Sequence, residues 1–207
     1  ILDLADKFTA EIYDYFVDSY LQGTTPNPCV KCNKQIKFGA MLKFAQEHGA
    51  DFLATGHYAK TDGEFFYEAD DKTKDQSYFL SQVDKEALKY MMFPLSTYKK
   101  EDIVKFGAEL DSAYKRITEK SESQEICFVE TVYTDVVKKH ANIDVPGLVL
   151  DEEGNVVGKH KGYAHYTIGK RRGFTVHGAH DPHFVTKLNP KDNTIVVGKK
   201  EALEVNE

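Results

Sequence analysis

Cys29, Cys32 and Cys127 are the only thiols in the chain, and the first two form a C-x-x-C directly behind the step Pro26-Asn27-Pro28. Three chemistries fit such a pair: a metal clip, a redox pair, or one reactive thiol with a neighbour. A structural zinc site needs four ligands, commonly a second C-x-x-C or a spaced His pair. Only Cys127 remains, with no H-x₃₋₅-H near it, so the spacing argues against zinc. A thioredoxin-type motif follows the first strand of its domain, whereas this one follows a helical pattern and two prolines. A reactive thiol is the third option. Cys32 is expected about one turn into a helix, where open backbone N–H groups and the helix dipole favour a thiolate, and Lys31, Lys34 and Lys37 add positive potential. An isolated cysteine is more often a small buried apolar residue; two in register beside two prolines weaken that reading. Cys127, in "SESQEICFVE", would alone read as core. As the one other thiol it becomes the candidate partner of Cys32, for persulfide transfer or disulfide exchange.

Charge marks a second region. The formal net charge of −6 does not describe a general polyanion binder. From Gly154 to His180, however, there is no Asp or Glu, while Lys159, Lys161, Lys170, Arg171 and Arg172 fall there with four of the eight histidines. One basic surface on an acidic chain is an electrostatic footprint for nucleic acid. An ordinary solvated loop explains the charges equally well.

The elements that must carry these residues follow from the apolar pattern. Phe8, Ile12, Phe16 and Tyr20 form one stripe on a helix over 5–21 that stops near Gly23. The prolines then force an extended or turning backbone. A second helix follows, with Phe38, Met41, Leu42 and Ala45 on its buried face and His48-Gly49 at its end. "DFLATGHYA", residues 51–59, reads as a buried strand running into a loop. "GEFFYEA" is a short strand, and "KDQSYFLSQV" a turn into a helix. A further helix, capped by Ser96 or Thr97, is expected to bury Val104, Phe106 and Leu110. Helices alternating with a buried strand make an α/β unit. From about Pro146 the pattern changes: "GLVLDEEGNVVG" and "HFVTKLNPKDNTIVVG" each read as a hairpin. The expected division is therefore an α/β domain over 1–131 and a small β-rich domain over 132–207.

With 207 residues, 41% of them apolar, the chain can build an ordinary core. No run approaches a membrane span, and the start shows no signal pattern. An odd, small number of cysteines fits a reducing compartment. The expected location is the cytoplasm. The chain opens on Ile-Leu-Asp without Met, which is expected of part of a longer protein.

Five stretches, in this order, together resemble one family: "GTTPNPCVKCNKQIKFG", "ADFLATGHYA", "KDQSYFLS", "SESQEICFV" and "GKHKGYAHYTIGKRRGF". They look like the bacterial tRNA-specific 2-thiouridylases, the MnmA/TrmU family. The resemblance implies a partial nucleotide-binding domain of the PP-loop ATPase type, adenine nucleotide alpha hydrolase-like, followed by a small central β-rich domain that contacts tRNA. It implies a transferase in which ATP, with Mg²⁺, adenylates the C2 oxygen of wobble uridine 34 and a cysteine persulfide then delivers sulfur to C2. By motif position Cys127 would carry the persulfide, and Cys32 would attack it. Asn27, Pro28 and Cys29 match the contact with the target base, which must leave the anticodon stack to be reached. Gly56 matches an ATP contact. His57, Lys74, Asp75 and Gln76 match tRNA contacts, and Lys159, Lys161, Arg171 and Arg172 would extend them. The implied partners are tRNAs of the Lys, Glu and Gln type and a persulfide donor protein; no membrane is implied.

Two departures sharpen this. Many members carry Asp where Cys29 stands, so Cys29, Cys32 and Cys127 could instead hold a [4Fe–4S] cluster with one open iron. A non-catalytic RNA-binding module, with incidental thiols, is the alternative of another class. The family's Ser-Gly-Gly-x-Asp-Ser loop, which grips the ATP pyrophosphate through backbone N–H groups, does not occur in the sequence, nor does the C-terminal β-barrel. The chain by itself is therefore expected to be inactive with ATP.

Overall fold

The computed structural model describes residues 1–110, 126–178 and 181–204. Residues 121–125 of "SESQEICFV", together with Ala179 and His180 of the basic segment, lie outside the described residues. The chain folds as two units, Ile1–Tyr13 with Asn27–Ile126, and Asp14–Pro26 with Cys127–Glu207.

In the first unit, Ala5–Phe8 and the wider π-helical turn Thr9–Tyr13 form one helical run that buries Ile12. A second run is built from Pro28–Cys32, the π-helical stretch Asn33–Met41 and Leu42–Glu47. It ends at His48, with Gly49 at φ +78° supplying the left-handed residue that such an end favours. The π-helical stretch moves the buried face away from the expected one. Ile36, Phe38 and Leu42 are buried, but Met41 is 37% exposed, because a wider turn advances each later side chain past its α-helical position.

Strand β1 (Leu53–Ala54) pairs in parallel with β4 (Met91–Met92), and β2 (Ala59–Thr61) pairs antiparallel with β3 (Phe66–Glu68). The expected buried strand at 51–59 is corrected in part: Phe52 is 51% exposed, and burial begins only at His57, Tyr58 and Ala59. Phe38, Leu42, Ala59, Leu80, Leu88, Met91 and Phe93 form the core beneath it. The helix Lys100–Leu110 differs from expectation in two ways. Its first N–H is accepted not by Ser96 or Thr97 but by Asp71 Oδ2, at 2.9 Å from Lys100 N. None of its residues is buried; Val104, Phe106 and Leu110 face outward from the described residues.

In the second unit, Asp14–Leu21 sets Phe16 against Tyr20 and Phe128, and Tyr20 stacks on Tyr133 with ring centres 4.3 Å apart. The two expected hairpins are present and join into one sheet. Its strands are β5 (Gly147–Leu150), β6 (Val156–His160), β7 (Thr175–Val176), β8 (Phe184–Asn189) and β9 (Thr194–Gly198), in the order β7-β6-β5-β9-β8. Only β5 and β9 run parallel. Val149, Tyr166, Val185, Ile195 and Val197 fill one face. At Gly158 a Cβ would lie 1.6 Å from the Thr175 carbonyl oxygen, so glycine is what lets β7 approach β6.

Candidate functional site

The Pro-Asn-Pro step is a helix start. Asn27 is the N-cap, its side-chain oxygen accepting from Val30 N at 3.2 Å, and Pro28 occupies the first turn, where its missing N–H costs nothing. Pro28 is buried and fixes the backbone; Cys29 and Cys32 are half-buried. The expectation for Cys32 needs correcting here. Asn27 takes the Val30 N–H and its carbonyl takes that of Lys31, so the thiol in the open first turn is Cys29, while Cys32 already lies within the hydrogen-bonded run. The expected lysine potential also thins out. Lys31 lies 4.0 Å from Glu11, and Lys34 pairs with Asp84 at 3.1 Å. Lys37 instead turns to His57.

That contact opens onto a recess of about 400 Å³ lined by Lys37, Met41, Thr55, Gly56, His57 and Gln76. Gly56, matched to ATP, and His57 and Gln76, matched to tRNA, therefore share one wall. His57 is only 8% exposed. Its Nε2 lies 3.4 Å from Lys37 Nζ and its Nδ1 2.8 Å from Thr55 Oγ1. An ammonium can only donate, so Nε2 accepts and Nδ1 carries the proton that Thr55 accepts. Burial, with the Lys37 charge second, holds the imidazole pKa down to about 4, so the ring is neutral at pH 7. Gln76 is fixed by two bonds to Tyr58, its Oε1 accepting from Tyr58 N at 3.1 Å and its backbone N donating to Tyr58 O at 2.8 Å. A Cβ on Gly56 would meet nothing nearer than Leu95 Cδ1 at 3.8 Å. The glycine thus leaves the backbone open to a ligand.

The Lys74-Asp75-Gln76 triplet is divided. Asp75 accepts from Ala69 N at 2.8 Å, Ser77 N at 3.1 Å and Ser77 Oγ at 2.6 Å, so its carboxylate is engaged in holding the turn. Lys74 lines a separate recess of about 860 Å³ with Asp71, Lys72, Lys99, Lys100 and Lys105. Thr55 and Met41 join the site without having stood out in the sequence as site residues, and Lys37, read there as adding positive potential at Cys32, lines this recess. The one signal for Lys37 is a lysine between Ile36 and Phe38, both buried.

In the second unit Lys159, Lys161, Arg171 and Arg172 are exposed, Lys159 on β6 and the arginines on the loop before β7. Gly169 N donates to Val185 O at 2.7 Å, Val185 N to Lys170 O at 3.0 Å, and the Tyr166 hydroxyl to Gly173 O; these bonds hold that loop. Lys170 turns inward, donating to His165 O at 2.8 Å. Two of the segment's four histidines do not add to the basic surface. His160 and His165 are buried, burial lowers both pKa values, and His165 Nε2 sits 2.7 Å from Asp144 Oδ1. Cys127, in this unit, is exposed, and none of the three cysteines is in a disulfide. Among the described residues no group of three or more His, Cys, Asp or Glu could hold a metal ion, and no helix is long and apolar enough to cross a membrane.

Comparison with known proteins gives the chain its family. The family described as tRNA methyl transferase HUP domain matches residues 1–131, and that described as tRNA methyl transferase PRC-barrel domain matches residues 134–199. Over its whole length the chain is 88% identical to "tRNA-specific 2-thiouridylase MnmA 1" of Aliarcobacter butzleri and covers 60% of that protein. It is 56% identical to "tRNA-specific 2-thiouridylase MnmA" of Sulfurimonas denitrificans, again covering 60%, and 54% identical to the protein of that name in Campylobacter jejuni, covering 61%. The chain thus spans about 60% of the length of these curated relatives.

Proposed function

We propose a function from the premise that this chain belongs to the family of the tRNA methyl transferase HUP domain: it carries the sulfur-transfer half of an ATP-dependent tRNA 2-thiouridylase. The family's description speaks of methyl transfer and the relatives' names of thiolation. The thiols favour sulfur. The observation that supports the reading is the recess shared by Gly56, His57 and Gln76, which brings together one residue that the resemblance matches to ATP and two that it matches to tRNA.

In this reading the uracil C2 oxygen of nucleotide 34 attacks the α-phosphorus of ATP, pyrophosphate leaves, and C2 bears an O–AMP leaving group. The terminal sulfur of a Cys127 persulfide attacks C2 and AMP departs. The Cys32 thiolate then takes the Cys127 sulfur as the S–S bond breaks, which leaves the 2-thiouridine and a Cys32–Cys127 disulfide that an external thiol reduces. The residues on hand suit the nucleotide: an open glycine backbone, a neutral hydrogen-bonding wall and one cation. ATP supplies the leaving group, and Mg²⁺ would accompany its phosphates. Asn27 and Cys29, at the mouth of the rigid Pro-Asn-Pro start, face the flipped base. Lys74, Lys159, Lys161, Arg171 and Arg172 contact tRNA phosphates, while Asp75 supports the turn that sets Gln76. Anticodon loops of the Lys, Glu and Gln type, a persulfide donor protein and a division between domains at 131/132 belong to the same reading.

Cys32→Ser and Cys127→Ser in the full-length protein test it. Each variant should lose tRNA thiolation by about 10³-fold or more while tRNA affinity stays within about twofold, since neither thiol is asked to bind phosphate. Retained thiolation in either variant overturns the two-thiol route.

A further inference from the structure

The family reading leaves Lys37 without a role, yet it is the one charged side chain on the wall of the His57 recess among the described residues. His57 Nε2, 3.4 Å away, can receive only one of the three ammonium protons. The other side of the ring is tied to Thr55 at 2.8 Å, so Lys37, His57 and Thr55 stand in one line of hydrogen bonds. With Nδ1 donating to Thr55 Oγ1, the threonine hydroxyl keeps its own proton to give to a third partner. One cation and one hydroxyl donor thus border a space whose floor is the bare backbone at Gly56. Among the described residues no carboxylate lines that space.

We propose that Lys37 is an anion ligand in this recess, that the anion is a phosphate group of a nucleotide, and that His57 positions the ammonium for it. The site deepens the proposed function by naming a binding residue, and it rests on that reading. A nucleotide fits better than an RNA backbone for two reasons. An RNA backbone is held by several clustered cations along a groove, whereas this is a concave space with a single cation. Met41, 37% exposed on the same wall, adds an apolar surface suited to a base or ribose. The ring must stay neutral for this arrangement, because a protonated His57 would repel the ammonium and lose its acceptor; burial keeps it so.

The test uses the full-length protein, with adenosine, AMP and ATP titrated against the wild type, Lys37→Met and Lys37→Arg, and tRNA affinity measured alongside. Lys37→Met should weaken AMP and ATP by about 10- to 100-fold, the range for one charge-assisted hydrogen bond. Adenosine should bind wild type and variant alike, tRNA affinity should hold within about twofold, and Lys37→Arg should recover part of the loss. Thr55→Val, which leaves the charge in place, should cost less, about two- to fivefold. AMP and ATP affinities unchanged by Lys37→Met overturn the proposal. Equal losses for adenosine and AMP also overturn it, since they mean a structural effect, as does a loss confined to tRNA. A wild type that binds no ATP sinks the parent reading instead. If Lys37→Met does not fold, the contrast between adenosine and AMP in Thr55→Val decides: no contrast overturns the proposal.

Discussion

The His57 recess of the first unit and the basic segment of the second handle polar groups in opposite ways. In the recess the polar side chains are bound to one another and to the main chain: Lys37 to His57, His57 to Thr55, Gln76 to Tyr58. In the basic segment the charged groups Lys159, Lys161, Arg171 and Arg172 stand in solvent, and it is the backbone beneath them that is bound, through Gly169, Lys170 and Val185. The first design suits recognition of one small ligand in one pose. The second suits a phosphate backbone, where position matters less than charge. Changing a charged side chain that meets a ligand should therefore alter affinity in either region, changing the buried His57 should alter stability as well, and changing a scaffold residue should do most harm in the second.

The largest effect is expected at that scaffold. Gly158→Ala forces a methyl group to within 1.6 Å of the Thr175 carbonyl oxygen unless β7 moves, and should cost about 3 kcal/mol. Urea unfolding followed by a probe in the β-sheet checks this; an unchanged midpoint would mean that β7 is not seated against β6.

Next comes the pH dependence of the recess. An unfolded His57 takes its proton near pH 6.5, the folded ring only near 4, so falling pH favours the unfolded chain between those values. Stability from this group is complete above about 6.5 and lost as pH drops to about 4, some 2–3 kcal/mol in all. Comparing urea midpoints at pH 7 and pH 4.5 for wild type and His57→Gln isolates it. Identical pH dependence in both would show that the ring is not held neutral.

The smallest structural effect belongs to the charges. Arg171→Ala with Arg172→Ala should leave stability within about 0.5 kcal/mol, because both side chains are exposed. The slope of log affinity for tRNA against log salt should fall by about 1 for each phosphate that is no longer neutralised. An unchanged slope would remove these arginines from the interface.

The same contrast explains what could be read from the sequence. The hairpins at 147–160 and 184–198 were legible because strand alternation and turn residues are local signals, and the start of the helix at Pro28 was legible because proline fixes its own backbone. The partner of the Lys100 N–H was not, since Asp71 lies 29 residues earlier in the chain. Nor was the exposure of Met41, which depends on a π-helical stretch that leaves no mark in an apolar pattern read at α-helical spacing. Among site residues, the cap role of Asn27 went unread, although an Asn directly ahead of proline is a local helix-start signal. Lys37 and Thr55 acquire meaning only through His57, a long-range contact for Lys37. His160 and His165 of the basic segment misled for a related reason: sequence shows a basic residue type, but not the burial that lowers the pKa of both rings.

The central claim is that sulfur passes through a cysteine of this chain on its way to tRNA. Mass spectrometry of thiol-blocked peptides from the full-length protein, taken after incubation with a persulfide donor and before tRNA is added, tests it most directly. The account predicts one extra sulfur atom on the peptide containing Cys127, absent in Cys127→Ser and discharged when tRNA and ATP are supplied. Extra sulfur on no cysteine of this chain, with tRNA nevertheless thiolated, would contradict it.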